Sequence, residues 1–90
     1  MKEPEIISAL EKIIEQLGIE LRYEKGDFKG GLCRVGEKQI FIINPRLLPS
    51  QKIHLMANEL SNLNLSSIYI VPAVRDLIES VASKQGKTEA

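Results

Sequence analysis

The sequence predicts a small α+β domain, and three observations predict it. Apolar residues recur at helical spacing in three separate stretches, near residues 6–17, 53–63 and 74–81. Short alternating or β-rich runs, punctuated by glycine, lie between the first two. A chain of 90 residues has room for one domain at most. The expected order is a helix, a three-stranded antiparallel sheet, a second helix, a short strand and a C-terminal helix. The helices should cover one face of the sheet. Residues 1–83 form the domain, and the tail 84–90, which has no apolar anchor, is expected to be disordered.

The first helix has clear signals at both ends. Pro4 suits the first turn, where its missing N–H costs nothing, and Glu3 and Glu5 favour the positive end of the helix dipole. Ile6, Ile7, Leu10, Ile13, Ile14 and Leu17 make one stripe, and Gly18 is placed to end the helix in a left-handed conformation. Ile19-Glu20-Leu21-Arg22-Tyr23 alternates as a half-buried strand does. Gly26 to Gly31 reads as a turn or short loop. Leu32-Cys33-Arg34-Val35 and Gln39-Ile40-Phe41-Ile42-Ile43 read as two strands of a hairpin joined through Gly36-Glu37-Lys38. The continuous apolar run Ile40 to Ile43 predicts a strand covered on both faces.

Asn44-Pro45 ends that strand. Pro49 fits the first turn of the second helix, with Ser50 as an alternative N-cap. Ile53, Met56, Ala57, Leu60 and Leu63 form its buried stripe. Ser67-Ile68-Tyr69-Ile70-Val71 is the expected short strand. Pro72 opens the last helix, with its stripe at Val74, Leu77, Ile78 and Val81.

Composition excludes several classes of function. Basic and acidic residues balance at 12 each, so there is no global field to attract nucleic acid or an anionic membrane. No run approaches the roughly 18 apolar residues that span a bilayer. The N-terminus is charged and lacks the apolar stretch of a secretion signal. One cysteine, Cys33, cannot build an intramolecular disulfide framework. The expectation is a cytoplasmic protein held by packing alone, its core built from Ile, Leu and Val because its aromatics are only Tyr23, Phe28, Phe41 and Tyr69.

The most informative stretch is Ala57-Asn58-Glu59-Leu60-Ser61-Asn62. A helix bearing H-E-x-x-H sets two imidazoles on one face with a catalytic carboxylate beside the first. Here the Glu is present and both flanking positions are Asn. A neutral carboxamide is a poor zinc ligand beside imidazole, thiolate or carboxylate. With its context, an apolar strand ending in Asn44, a short Pro-containing loop and then this helix, the segment resembles the core of the ImmA/IrrE-type zinc metallopeptidases. The resemblance covers about residues 30–63, and the matching letters are Asn44, Ala57, Glu59 and Leu60. It implies a zincin-like fold in which Asn58 and Asn62 stand at the zinc-ligand positions and Glu59 at the general-base position. The family's third ligand, an acid or His further on, has no counterpart between Asn62 and Pro72; Asp76 and Glu79 come later. What the resemblance implies is therefore a shared fold with the peptidase activity lost: no metal, no cofactor, no catalytic residue.

At about 100° per residue, His54, Asn58, Ser61 and Asn62 lie on the flank of α-helical stripe 53–63, and Glu59 lies nearly opposite Ala57. His54, Asn58, Glu59 and Asn62 are the candidate vestigial cleft for a peptide or small polar ligand. The plainer reading is a solvated flank. His54 as a lone base lacks an orienting acid, and Cys33 sits mid-strand, where a small buried hydrophobe is the simpler account. Lys25, Lys29, Arg34 and Lys38 read as solvated charges. The leading expectation is a non-catalytic binding or regulatory module with an unknown protein or peptide partner. A homodimeric interaction protein is the second, and a hydrolase using Glu59 with His54 or Cys33 is the third.

Overall fold

The computed structural model describes the backbone of residues 2–89 and the side chains of residues 2–82. The elements in order are α1 (Glu3–Gln16), β1 (Glu20–Tyr23), β2 (Gly30–Val35), β3 (Lys38–Ile43), α2 (Pro49–Ser61) and α3 (Pro72–Glu89). The tail expected over 84–90 falls on residues whose side chains lie outside this description.

Strand β3 takes the centre of the sheet, as its apolar run demands, giving the order β1-β3-β2. It pairs antiparallel with β2, with Leu32 opposite Phe41 and Val35 opposite Lys38. The hairpin turns on Gly36 and Glu37; Gly36 has φ +64°, the positive value that a type II′ turn asks of its first central residue. Against β1, however, β3 runs parallel, with Glu20 beside Ile40 and Tyr23 beside Ile43. The sheet is mixed, which corrects the expectation of an all-antiparallel one. The cause is the long return between β1 and β2: residues 24–29 carry the chain past the middle position, and the more apolar β3 fills it.

A second correction concerns residues 67–71, expected as a strand. They form turns and irregular backbone. Ile70 plugs into the core while Tyr69 stays outside, so the period of two is real but no ladder forms. A third concerns β3 itself. Phe41 and Ile43 are buried under the helices, but Ile40 and Ile42 on the other face are only half-buried, so the strand is covered on one side.

The helices form as their punctuation requires. At the end of α1, Gly18 has φ +78°, its N–H bonds Glu15 C=O at 3.0 Å, and Ile19 N–H bonds Ile14 C=O at 3.2 Å. This is the Schellman pattern, which satisfies carbonyls the helix leaves over. Leu48 is the N-cap of α2 with Pro49 behind it, and the Gln51 side chain accepts Leu48 N–H at 2.9 Å, so Ser50 is not the cap. The core joins Leu10, Ile13 and Ile14 of α1, Phe41 and Ile43 of the sheet, Met56, Ala57 and Leu60 of α2, and Val74, Ile78 and Val81 of α3. Helix α2 lies at its centre, packed against α1, α3 and β2.

Candidate functional site

Helix α2 buries Ile53, Met56, Ala57 and Leu60, which fixes the directions of the polar residues between them. His54 is exposed and Asn58 half-buried, and both line a cavity of about 390 Å³ with Lys29, Ser50 and Gln51. Glu59, one residue on, turns away from that cavity. It lines a second one of about 430 Å³, with Phe28, Gly30, Gly31, Leu32, Cys33 and Ile42. Asn62 lies past the end of α2, exposed, and its side-chain N–H donates to the Asn58 carbonyl at 3.3 Å. Thus the structure brings His54 and Asn58 together and sets Glu59 apart, with Asn62 spent on its own helix end.

The surroundings of Glu59 are specific. Its Oε1 accepts the backbone N–H of Leu32 at 3.4 Å. Gly31 makes this approach feasible, because a Cβ there would stand 3.3 Å from the same oxygen. Gly31 and Gly30 belong to β2 rather than to the preceding loop, a further correction. Gly30 has φ +129°, and a Cβ on it would lie 2.1 Å from the Ile42 carbonyl oxygen. These two glycines let β2 pass close both to β3 and to the carboxylate.

The phase of the ladder shows which way Leu32 N–H points. Asn44 N–H bonds Lys29 C=O at 3.0 Å. Hydrogen-bonded pairs alternate along an antiparallel ladder, so residues 31, 33 and 35 turn their backbone groups to β3, and Gly30, Leu32 and Arg34 turn theirs outward. No further strand lies beyond β2 among the described residues. Glu59 therefore occupies one outward donor of an open strand edge.

Asn44 has a different task. It is buried, and its side-chain N–H group donates to the carbonyls of Gly26 and Phe28 at 2.8 Å each while its Oδ1 accepts Arg46 N–H at 2.9 Å. One side chain thereby ties the loop before β2 to the end of β3, and it holds Phe28 at the rim of the Glu59 cavity. Asn58 is the opposite case: its Oδ1 is sealed from solvent and has no hydrogen-bond partner among the described residues.

The zinc that the resemblance implies needs three or four N, S or O donors converging at about 2.0–2.3 Å. Among the described residues, no three His, Cys, Asp or Glu side chains gather to hold a metal ion. Carboxamides stand at positions 58 and 62, and Glu59 faces another cavity than His54. The residues present do not fit that ion. Cys33 is exposed, which corrects the expectation of a small buried hydrophobe, and it shares its cavity with Glu59, not with His54, so the Cys33–His54 pair is not assembled.

Two participants escaped the sequence: the Gly31–Leu32 backbone beside Glu59, and Lys29 beside His54. Paired glycines at a strand start were the available signal for the first, since they mark close approach of backbone to another group. Nothing local signals the second. Comparison with known protein families, with curated proteins and with solved structures finds no match. No helix among the described residues is long and apolar enough to cross a membrane.

Proposed function

We propose that the protein is a non-catalytic binding module that takes an extended peptide segment of a partner along the open edge of β2, beside Glu59. The observation that carries this reading is the outward Leu32 N–H, met by the Glu59 carboxylate over the bare backbone of Gly31. An added strand gains affinity from backbone hydrogen bonds and specificity from pockets for alternate side chains. Gly30, Leu32 and Arg34 offer the former, and the 430 Å³ cavity under Phe28 offers one of the latter. Glu59 favours a partner with a basic or N–H-rich group at that pocket. The similarity to zinc peptidases then concerns the fold, with the ligands replaced by Asn58 and Asn62. A single cysteine keeps the reducing cytoplasm as the proposed location.

The test is titration of ¹⁵N-labelled protein with a panel of extended peptides that differ in the charge of one central residue. The expected result is movement of the Gly30, Leu32 and Arg34 amide signals, largest for peptides with a central Lys or Arg. Shifts confined to α2 residues near His54, or none across the panel, would count against it. Metal analysis of protein purified without chelator tests the non-catalytic half: stoichiometric zinc would overturn it.

A further inference from the structure

Helix α1 carries a second surface that the reading above does not use. Its buried side is Leu10, Ile13 and Ile14; its outer side presents Glu5, Ser8, Lys12 and Gln16, all exposed, with Ala9 half-buried between. A groove of about 600 Å³ runs between this side and residues 69–74. Tyr69, 78% exposed, and Val71, 42% exposed, stand on its far wall. A large exposed aromatic beside an apolar groove is the usual anchor of a protein contact, because it buries much area at little conformational cost.

The charges along α1 say what the groove fits. Glu5 and Lys12 lie at equal distances on either side of Ser8 and Ala9. When two copies of one helix pack antiparallel across a two-fold axis, positions equally far from the axis meet. Set at Ser8 and Ala9, the axis brings Glu5 of each copy to Lys12 of the other, and the small residues at the crossing let the backbones approach closely. The long 3.4 Å contact from Lys2 N–H leaves the Glu5 carboxylate open to accept a second donor. We propose that this face of α1, with Tyr69 beside it, is the interface of a homodimer with an antiparallel α1–α1 contact. A foreign helix would have to supply its own matching acid and base; a second copy carries both by symmetry. The inference does not depend on the peptide reading, since α1 packs on the β1 side of the sheet and Glu59 meets β2.

Sedimentation equilibrium on the full chain tests it, with circular dichroism confirming that each variant keeps its helices. The wild type is expected to be a reversible dimer in the micromolar range. Glu5→Lys and Lys12→Glu each replace two attractive contacts with two repulsive ones and should weaken association about ten-fold or more. An equimolar mixture of the two variants restores complementary pairs and should form a heterodimer as tight as the wild-type dimer. Tyr69→Ser, outside the helix, should also weaken the dimer. A wild type that stays monomeric to about 1 mM overturns the proposal. So does a dimer that both charge variants leave intact, or a mixture that shows no rescue.

Discussion

The two outer strands of the sheet are protected in different ways. Strand β1 is dressed in charge: Arg22 pairs with Glu20 and Glu24, and Lys38 reaches Glu20 from β3 at 3.7 Å. Tyr23 donates its hydroxyl to Glu11, and Lys52 stands 5.7 Å from the centre of its ring. Burial, with the Glu11 carboxylate beside it, pushes the Tyr23 phenol well above its usual range. Strand β2 begins with two glycines and has one carboxylate, borrowed from α2, at its outward backbone. An edge strand exposes unpaired donors and acceptors, and charged side chains are a common guard against unwanted pairing. The β1 edge carries that guard on its own side chains. On β2 the one charged side chain is Arg34, turned back to the Gly36 carbonyl near the hairpin, and the glycine end relies on a residue of another element, which a partner can displace. That contrast makes β2, not β1, the edge open to an added strand.

The largest blow to the contrast is Gly30→Ala. Its Cβ would overlap the Ile42 carbonyl, and its φ of +129° is foreign to alanine. We expect a loss of more than about 3 kcal/mol in urea unfolding, with β2 detached from β3. Glycine elsewhere is less critical: Gly36→Asn, at φ +64° with open space around it, should be tolerated far better.

Asn44→Ala removes three hydrogen bonds at a buried position and strands the Gly26 and Phe28 carbonyls. The expected cost is about 2–3 kcal/mol by denaturation, with residues 24–29 loosened and Phe28 no longer held at the cavity rim. A variant of unchanged stability would show that water replaces the clamp at no loss.

Glu59→Ala sharpens the comparison most directly. Its effect on global stability should stay under about 1 kcal/mol, because the 3.4 Å bond to Leu32 is long and part-buried. Hydrogen exchange at the Leu32 amide should nonetheless accelerate several-fold. The bared edge should also make the variant more prone to associate through β2. Equal exchange in both proteins would mean that the carboxylate does not guard this donor.

The smallest effect lies on β1. Hydrogen bonding from Arg22, then its charge, holds the Glu20 carboxyl below its usual value. A depressed folded value means that the contribution is present above the ordinary carboxylate range and fades as pH falls through the folded value. Glu20→Gln should therefore remove a slight part of the acid sensitivity and little else, as befits a pair at the protein surface. An acid unfolding curve indistinguishable from the wild type would show that the pair contributes nothing measurable.

The helices were legible in the sequence because burial writes itself along them with a period near 3.6. Leu10, Ile13 and Ile14, or Met56, Ala57 and Leu60, are buried where the stripes place them. The β2–β3 hairpin was legible through Gly36. The parallel partnership of β1 was not, since alternation reveals which residues face inward and says nothing of the neighbouring strand. Residues 67–71 alternate like a strand but join no ladder, and Ile70 is buried in the core all the same. At the site, periodicity put His54 and Asn58 on one flank, where they do share a cavity. Glu59 separates from them because a helix turns about 100° at each residue, and its partner is a strand 27 positions away in sequence, which local pattern cannot name.

The parallel pairing has a consequence for assembly. The β2–β3 hairpin closes through a two-residue turn, whereas Glu20 must find Ile40 across 20 positions. Closing the longer loop costs more chain entropy, so the hairpin is expected to serve as the template on which β1, delivered by α1, docks late. Substitutions in the hairpin should then slow refolding, while those at Leu21 or Tyr23 should chiefly hasten unfolding.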